Sequence, residues 1–277
     1  MILITTPNGK VGSEVVKQLQ AKGEPIRIGA HTVEKAQNAF PDAEVVHFDF
    51  GNEDSVRSAL HGVDKLYLAS PGEMQAEPVN RVVDLAKEVG VKHIVRLSAM
   101  GVEYGDSALR QAEQHIEASG LAWTFLRPSW FMQNYSTGMA DAIRQGTLVE
   151  PAEGGATGFV DARDIAAVGV AALTGEGHAG QAYAITGPEA LTRDQVAATI
   201  SAATGKPVRY QAVSAQEFEL GLREAGMPEA YIGLMGNLYG FVRAGQTAGL
   251  TSDVQQVTGR APISFKQFAR DHADAWR

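Results

Sequence analysis

No cysteine occurs in the 277 residues. That excludes a disulfide framework, a thiolate metal site, an Fe–S cluster and a catalytic thiol. A chain this long buries a core large enough to need no such staple. Long apolar runs are also missing. The longest, Ile165 to Leu173, falls far short of the roughly 20 residues of a membrane span. Positive charge is scarce: 24 Lys and Arg stand against 32 Asp and Glu, a net charge of −8, and no basic run forms a patch. Nucleic acids and anionic membranes are bound by clustered cations, so neither is an expected partner. The start, Met1-Ile2-Leu3-Ile4, has no basic leader, so a cytoplasmic protein is expected. His31, His47, His61, His93, His115, His178 and His272 show no HExxH or other metal spacing, and no metal site is expected. Gly-x-Ser-x-Gly and Gly-Lys-Ser/Thr motifs are absent as well.

What is present is an alternation of short apolar runs with helical patterns. Ile2–Thr5, Ile26–Gly29, Val45–Phe48, Lys65–Ala69, His93–Ser98 and Trp123–Leu126 read as six strands. Helical spacing lies between most of them: Val11, Val15, Val16 and Leu19; Val56, Ala59 and Leu60 behind a capping Asn52; Val79, Val82, Val83, Ala86 and Val89; and Ser107 to Ser119. Strands separated by single helices imply right-handed crossovers and a parallel sheet. The fold class expected is α/β, a Rossmann-like doubly wound parallel sheet with a smaller, mainly helical C-terminal lobe. Ligands of such sheets sit at the carboxyl ends of the strands. The loops of interest are therefore residues 6–12, 30–35, 49–51, 70–77, 98–106 and 127–136. After Arg127-Pro128 the pattern changes, and residues 136–160 are Gly-rich and read as irregular. Asp161–Leu173 reads as a helix and Ala182–Thr186 as one more strand. Three capping boxes follow, at Thr192/Gln195, Ser214/Glu217 and Ser264/Gln267. The expected division is residues 1–128 with 155–187 as a nucleotide domain and 129–154 with 188–277 as a substrate lobe.

The first strand runs into Thr6-Pro7-Asn8-Gly9-Lys10-Val11-Gly12, where Gly9 and Gly12 take the last two positions of a GxxGxxG fingerprint and Thr6 the first. A pyrophosphate needs close backbone approach and the free N–H groups of a helix N-terminus. Thr6, Asn8, Gly9, Lys10, Val11 and Gly12 are therefore candidate phosphate contacts. Lys10 fits a charge beside the phosphates or an ordinary solvated lysine.

The chain resembles the NmrA-like family of atypical short-chain dehydrogenase/reductases, which includes quinone, triphenylmethane-dye and azo-dye reductases. The resemblance rests on the Gly9/Gly12 turn, Phe48-Asp49-Phe50, Leu97-Ser98-Ala99-Met100-Gly101, and Ser119-Gly120-Leu121-Ala122-Trp123-Thr124. It continues through residues 126–134, Phe159-Val160-Asp161-Ala162-Arg163-Asp164, residues 185–191, and Phe265-Lys266-Gln267-Phe268-Ala269. It implies a Rossmann-like NAD(P) domain and a smaller substrate lobe. It also implies roles at strand ends: Asp49 and Phe50 at the adenine, Ser70 and Pro71, with Gly72, at the nicotinamide ribose, and Ser98 at the place of a catalytic serine. Tyr104 is the best-placed phenol. Met100, Trp130, Phe131, Asn134 and Tyr135 are candidate substrate contacts, with core packing as the other reading of the aromatics.

Two departures from the family pattern matter. NADPH-using members usually carry Arg just after the second strand, where this chain has His31. No carboxylate stands at that tip to bind ribose hydroxyls, so NADP(H) is the expected cofactor and NAD(H) the other. His31, Thr32 and Lys35 are candidate 2′-phosphate contacts. Secondly, none of the seven tyrosines has Lys four positions on, so the Tyr-x-x-x-Lys proton shuttle is absent. A quinone, azo bond, iminium or cationic dye accepts a hydride without such a donor. An NAD(P)H-dependent reductase of small conjugated electrophiles, a monomer or homodimer, is expected. The alternative is an NAD(P)-sensing regulator that binds a protein partner without turnover.

Overall fold

The computed structural model describes residues 1–71 and 75–277. In chain order it begins β1 (Ile2–Thr5), α1 (Gly12–Ala21), β2 (Ile26–Ala30), α2 (Val33–Ala39), β3 (Glu44–His47), α3 (Glu53–Leu60) and β4 (Lys65–Leu68). Next come α4 (Ala76–Glu88), β5 (His93–Leu97), α5 (Ala108–Ser119), β6 (Ala122–Pro128), α6 (Gln133–Ser136), α7 (Ala140–Arg144) and β7 (Thr147–Glu150). The remainder is α8 (Ala162–Thr174), β8 (Gln181–Ile185), α9 (Arg193–Thr204), β9 (Arg209–Ala212), α10 (Ala215–Glu224), α11 (Glu229–Arg243), α12 (Asp253–Thr258) and α13 (Phe265–Asp271). Among the described residues no helix is long and apolar enough to cross a membrane.

Two compact units are formed. The first comprises Met1–Pro128, Ala162–Ile185 and Asp253–Arg260. Its seven strands are ordered β3-β2-β1-β4-β5-β6-β8, and every pair is parallel, as the α/β reading expects. Strand order reverses between β1 and β4, where a parallel sheet opens a crevice for ligand. The strands read as almost continuous apolar runs because both faces are covered: β1 is buried at all four positions. Val79, Val82, Val83 and Ala86 make one buried stripe on α4 and meet Leu3, Leu66, Leu68, Ile94 and Phe125 of the sheet. Each such side chain contributes about 1.5–3 kcal/mol when fully buried. Asn52 caps α3 by accepting from the Ser55 N–H, and Ser107 caps α5 by accepting from Arg110 N–H.

The second unit comprises Ser129–Asp161, Thr186–Ser252 and Ala261–Arg277. Its core is aromatic, with Phe159, Phe265, Phe268 and Trp276 packed on Met132 and Ile200. The Trp276 indole N–H donates to the Tyr135 carbonyl at 2.8 Å, which ties the last helical turn to α6. Residues 136–160 are more ordered than their glycines suggest. They contain α7 and β7, and β7 pairs in parallel with β9 through Thr147↔Arg209 to Glu150↔Ala212. The capping boxes at Thr192/Gln195 and Ser214/Glu217 are both complete. At Ser264 the hydroxyl accepts from Gln267 N–H.

Candidate functional site

The switch point is organised by Thr5, the last residue of β1. Its buried hydroxyl donates to the Ala69 carbonyl at 2.7 Å and accepts from the Ala69 N–H at 2.9 Å. A side chain thus replaces a ladder bond just past the ends of β1 and β4. The chain then turns through Thr6, which takes φ = 50°. This left-handed conformation is the one the missing first glycine of the fingerprint would adopt freely, and it costs a non-glycine residue about 1–2 kcal/mol. The Thr6 carbonyl accepts from Gly9 N–H at 3.0 Å, and the Gly9 carbonyl from Ser13 N–H at 3.0 Å. A Cβ on Gly12 would meet the Thr6 carbonyl oxygen well inside 3.0 Å, so only glycine lets α1 start against this turn. Asn8, Gly9 and Lys10 are exposed at the tip, whereas Val11 is buried beneath it. Neighbouring atoms strip water from the Lys10 ammonium and lower its pKa.

One strand over, His31 follows β2 and Lys35 lies on α2; both are exposed. His31 Nε2 is 3.9 Å from Asp49 Oδ2. Asp49 Oδ1 in turn accepts from Gly51 N–H at 2.9 Å. Phe50 is half-buried, its ring edge-on to Phe48 at 5.1 Å. His47 completes this corner, with Nδ1 3.2 Å from the His31 carbonyl oxygen.

On the other side of the switch point, Ser70 and Pro71 follow β4; Gly72 lies outside the described residues. Ser70 is held by Arg96 of β5, whose guanidinium donates to Ser70 Oγ at 2.9 Å and to the Leu68 carbonyl at 3.1 Å. Arg96 is 2% exposed, and its burial lowers its pKa to about 10. The Tyr67 phenol, buried beside it, is raised by the same loss of water. Ser98 ends the neighbouring strand. Its backbone N–H donates to the Leu126 carbonyl at 2.8 Å, and its buried Oγ has no hydrogen-bond partner among the described residues. Met100 is half-buried nearby in sequence, its N–H donating to the Pro128 carbonyl at 3.0 Å. Tyr104 stands on a single 3-10 turn and is 89% exposed.

A buried ion pair stiffens these loops from below. Glu113 of α5 is fully buried and receives two bonds from Arg127 of β6, at 3.0 and 2.7 Å, and one from Arg110 at 3.0 Å. Arg127 also lies 3.5 Å from Glu103 in the loop after β5. Hydrogen bonding to Glu113 raises the Arg127 pKa further.

In the second unit Trp130, Phe131 and Asn134 are half-buried, whereas Tyr135 is buried with its ring packed on Phe159 and Phe265. Beneath Trp130 lies a charged centre. Arg193 donates to Glu150 through Nε and to Thr157 Oγ1 at 2.7 Å, its guanidinium 5.0 Å from the centre of Phe159 and 5.6 Å from that of Trp130. Burial pushes the Glu150 carboxyl upward against the opposing pull of Arg193.

Sequence reasoning missed Thr5, His47, Arg96 and the Arg193–Glu150 pair. Arg96 did leave a signal: it is the one charge in the apolar run Ile94-Val95-Arg96-Leu97.

A parallel sheet with a tight glycine turn at its switch point, a helix N-terminus behind it and buried hydroxyls at the next strand ends fits a dinucleotide. The chain belongs to the NAD(P)H-binding family, whose pattern matches residues 7–176. It is 37% identical over 284 residues to an NAD(P)H azoreductase of Xenophilus azovorans, spanning all of this chain and 99% of that protein. Among solved structures, the NADPH-dependent quinone oxidoreductase of Escherichia coli complexed with NADPH matches with a TM-score of 0.87 at 26% identity, over 98% of this chain and 99% of that one. The Citrobacter sp. triphenylmethane reductase complexed with NADP(H) matches with a TM-score of 0.83 at 26% identity, again over 98% and 99%.

Proposed function

We propose that this protein is an NAD(P)H-dependent reductase that passes a hydride to an electrophilic conjugated small molecule of the quinone, azo or cationic-dye type. The observation that carries this reading is the absence of a built-in proton shuttle at a strand-end site otherwise suited to a dinucleotide. No tyrosine has Lys four positions on, and the best-placed phenol, Tyr104, is 89% exposed. Hydride transfer needs close approach, correct orientation and exclusion of water. An ordinary ketone needs its oxygen protonated as well, whereas a quinone or cationic dye takes its proton from solvent or needs none.

When bound, NAD(P)H supplies the hydride. The protein's part is binding and orientation. The turn of Thr6, Asn8, Gly9, Lys10, Val11 and Gly12 holds the pyrophosphate, and His31 with Lys35 takes the 2′-phosphate, so NADP(H) is preferred and NAD(H) accepted. Asp49 and Phe50 place the adenine. Ser70 and Pro71 hold the nicotinamide ribose, with Ser70 fixed by Arg96. Ser98, whose hydroxyl has no partner among the described residues, offers it to the nicotinamide end or to the acceptor. The first unit is the nucleotide domain. The second is the substrate lobe, to which Trp130, Phe131 and Asn134 contribute contacts on a base that Tyr135 helps to pack. Met100 adds an apolar contact. The same reading takes the protein as a cytoplasmic monomer or homodimer acting on small molecules, and the net charge of −8 supports the part of it that leaves nucleic acid alone.

Steady-state NADPH oxidation against a panel of quinones and azo dyes, run beside simple ketones, tests the reading. Turnover of the conjugated acceptors is expected. Turnover of ketones alone would sink it, and tight NADPH binding with no oxidation by any acceptor would favour the sensing alternative.

A further inference from the structure

Between Glu229 and Arg243 helix α11 carries no charged residue. One side of it faces inward. Ile232, Tyr239 and Val242 are buried, and the Tyr239 ring packs on Trp130 at 5.0 Å and on Phe218 at 5.1 Å. The opposite side is open. Met227, just before the helix, Leu234 and Phe241 are 42%, 42% and 52% exposed. Ala230, Asn237 and Ala244 are exposed as well. In chain order these six positions alternate spacings of three and four residues, the heptad pattern of a helix that packs lengthwise on another helix. A surface helix ordinarily gives its outer side to charged residues. Here even the positions that flank the stripe are uncharged: Tyr231 and Leu238 on one side, Gly233 and Gly240 on the other. Glycine on a flank lets a second backbone come close.

We propose that this face of α11 pairs with the same face of a second copy of the chain, the two helices running antiparallel about a two-fold axis. Self-complementarity selects this occupant. Met227, Leu234 and Phe241 hold one seam position of the heptad, and Ala230, Asn237 and Ala244 the other. Setting Leu234 against the partner's Asn237 places Phe241 against the partner's Ala230 and Met227 against the partner's Ala244. Two of the three layers then match a large side chain with an alanine. A parallel pair would set Phe241 on the partner's Phe241 and Ala230 on the partner's Ala230, crowding one layer and leaving a gap in the next. Asn237, the one polar residue of the stripe, disfavours a shifted register.

Charge points the same way. The antiparallel arrangement brings the Glu229 end of each helix beside the Arg243 end of the other. A net charge of −8 opposes self-association over most of the surface, and an uncharged strip is where that repulsion is least. The seam is about 22 Å long. One helix from each copy makes an interface at the small end of specific ones, below about 1,200 Å², so the dimer is reversible. A two-fold contact of this kind closes on itself and stops at two copies.

Sedimentation velocity of the full chain, run from about 1 µM to about 1 mM, tests the proposal. The mass should climb from 29.5 kDa toward twice that value with concentration. Leu234→Glu and Phe241→Glu should each weaken dimerisation by about a hundredfold or more, because the change occurs twice in a symmetric interface. Both residues are exposed, so the denaturation midpoint and NADPH binding should match the parent. The chain has no cysteine, so an introduced pair reports on this contact alone. In the double variant Ala230→Cys, Phe241→Cys the two thiols of one helix lie about 16 Å apart along its axis, beyond the reach of an internal disulfide. Mild oxidation should link this variant into a covalent dimer and leave each single variant unlinked. A mass that stays at 29.5 kDa at every concentration, a dimer that survives Leu234→Glu, or efficient linking by Phe241→Cys alone would overturn the proposal. None of these results bears on the NAD(P)H reading, which NADPH binding by the Leu234→Glu monomer tests separately.

Discussion

The carbonyl oxygen of Thr6 occupies the space that a side chain on Gly12 would need. The two positions are the first and last of the glycine fingerprint, and here the burden falls unevenly on them. Thr6 takes the left-handed backbone without being glycine, whereas Gly12 has no alternative. Gly12→Ala should push the Thr6 carbonyl aside, cost about 2–4 kcal/mol in urea denaturation and abolish NAD(P)H binding. Thr6→Gly should bind NAD(P)H at least as well as the parent and lose no stability, because relief of about 1–2 kcal/mol of strain offsets the added chain entropy.

Among the described residues the Arg96 guanidinium donates to one carbonyl and one serine and touches no carboxylate. Arg96→Met removes a desolvated charge and keeps the volume, so the fold should survive with a Tm within a few degrees of the parent. Ser70 loses its anchor. The expected kinetic signature is a KM for NAD(P)H raised several-fold with kcat changed far less, measured at saturating acceptor.

Glu113 is buried beneath two arginines. Glu113→Ala strips Arg127 of its two carboxylate hydrogen bonds, leaving Glu103 at 3.5 Å, and should cost about 3–5 kcal/mol in chemical denaturation. Glu113→Gln keeps the shape and part of the hydrogen bonding, so its loss should be smaller.

His93 gives the fold an acid limit. Burial lowers its pKa from 6.5 to about 4, and its ring contacts Thr124 Oγ1 at 2.9 Å. Thr124 donates to the His178 carbonyl, so it accepts from His93 Nε2–H and the neutral ring is the bound form. The unfolded chain takes up the proton first. The stabilisation is therefore complete above pH 6.5 and is lost as pH falls toward about 4. Denaturation midpoints followed from pH 7 to 4 should drop, and His93→Gln should drop less steeply over the same window.

Legibility followed the size of the buried stripe. β1, α1 and α4 were readable because Leu3, Ile4, Val15, Val16, Val82 and Val83 bury at regular spacing. α2 was not, since Val33–Ala39 buries only Ala36 and Thr32 makes no side-chain cap. β7 and β9 are four-residue strands that pair across some sixty residues of chain, and neither carries enough alternation to announce itself. α11 carries apolar residues on several sides, with Leu234 and Phe241 exposed and Ile232 and Val242 buried, which blurs its period. At the site, the glycine turn and the strand-end serines were legible from local sequence. Arg96 and His47 were not, because the Leu68 carbonyl comes from a neighbouring strand and the His31 carbonyl from the loop after one.

Direct hydride transfer from the dinucleotide to the acceptor is the centre of the account, and a cationic triphenylmethane dye, which receives the hydride on carbon, records it directly. NADPH carrying deuterium at the transferable C4 position, mixed with the protein and the dye in ordinary water, should yield a leuco product with one deuterium on its central carbon, read by mass spectrometry. Unlabelled NADPH in heavy water should yield none there. Deuterium arriving from solvent, or NADPH bound tightly without reduction of this dye or of any quinone or azo dye, would contradict the account.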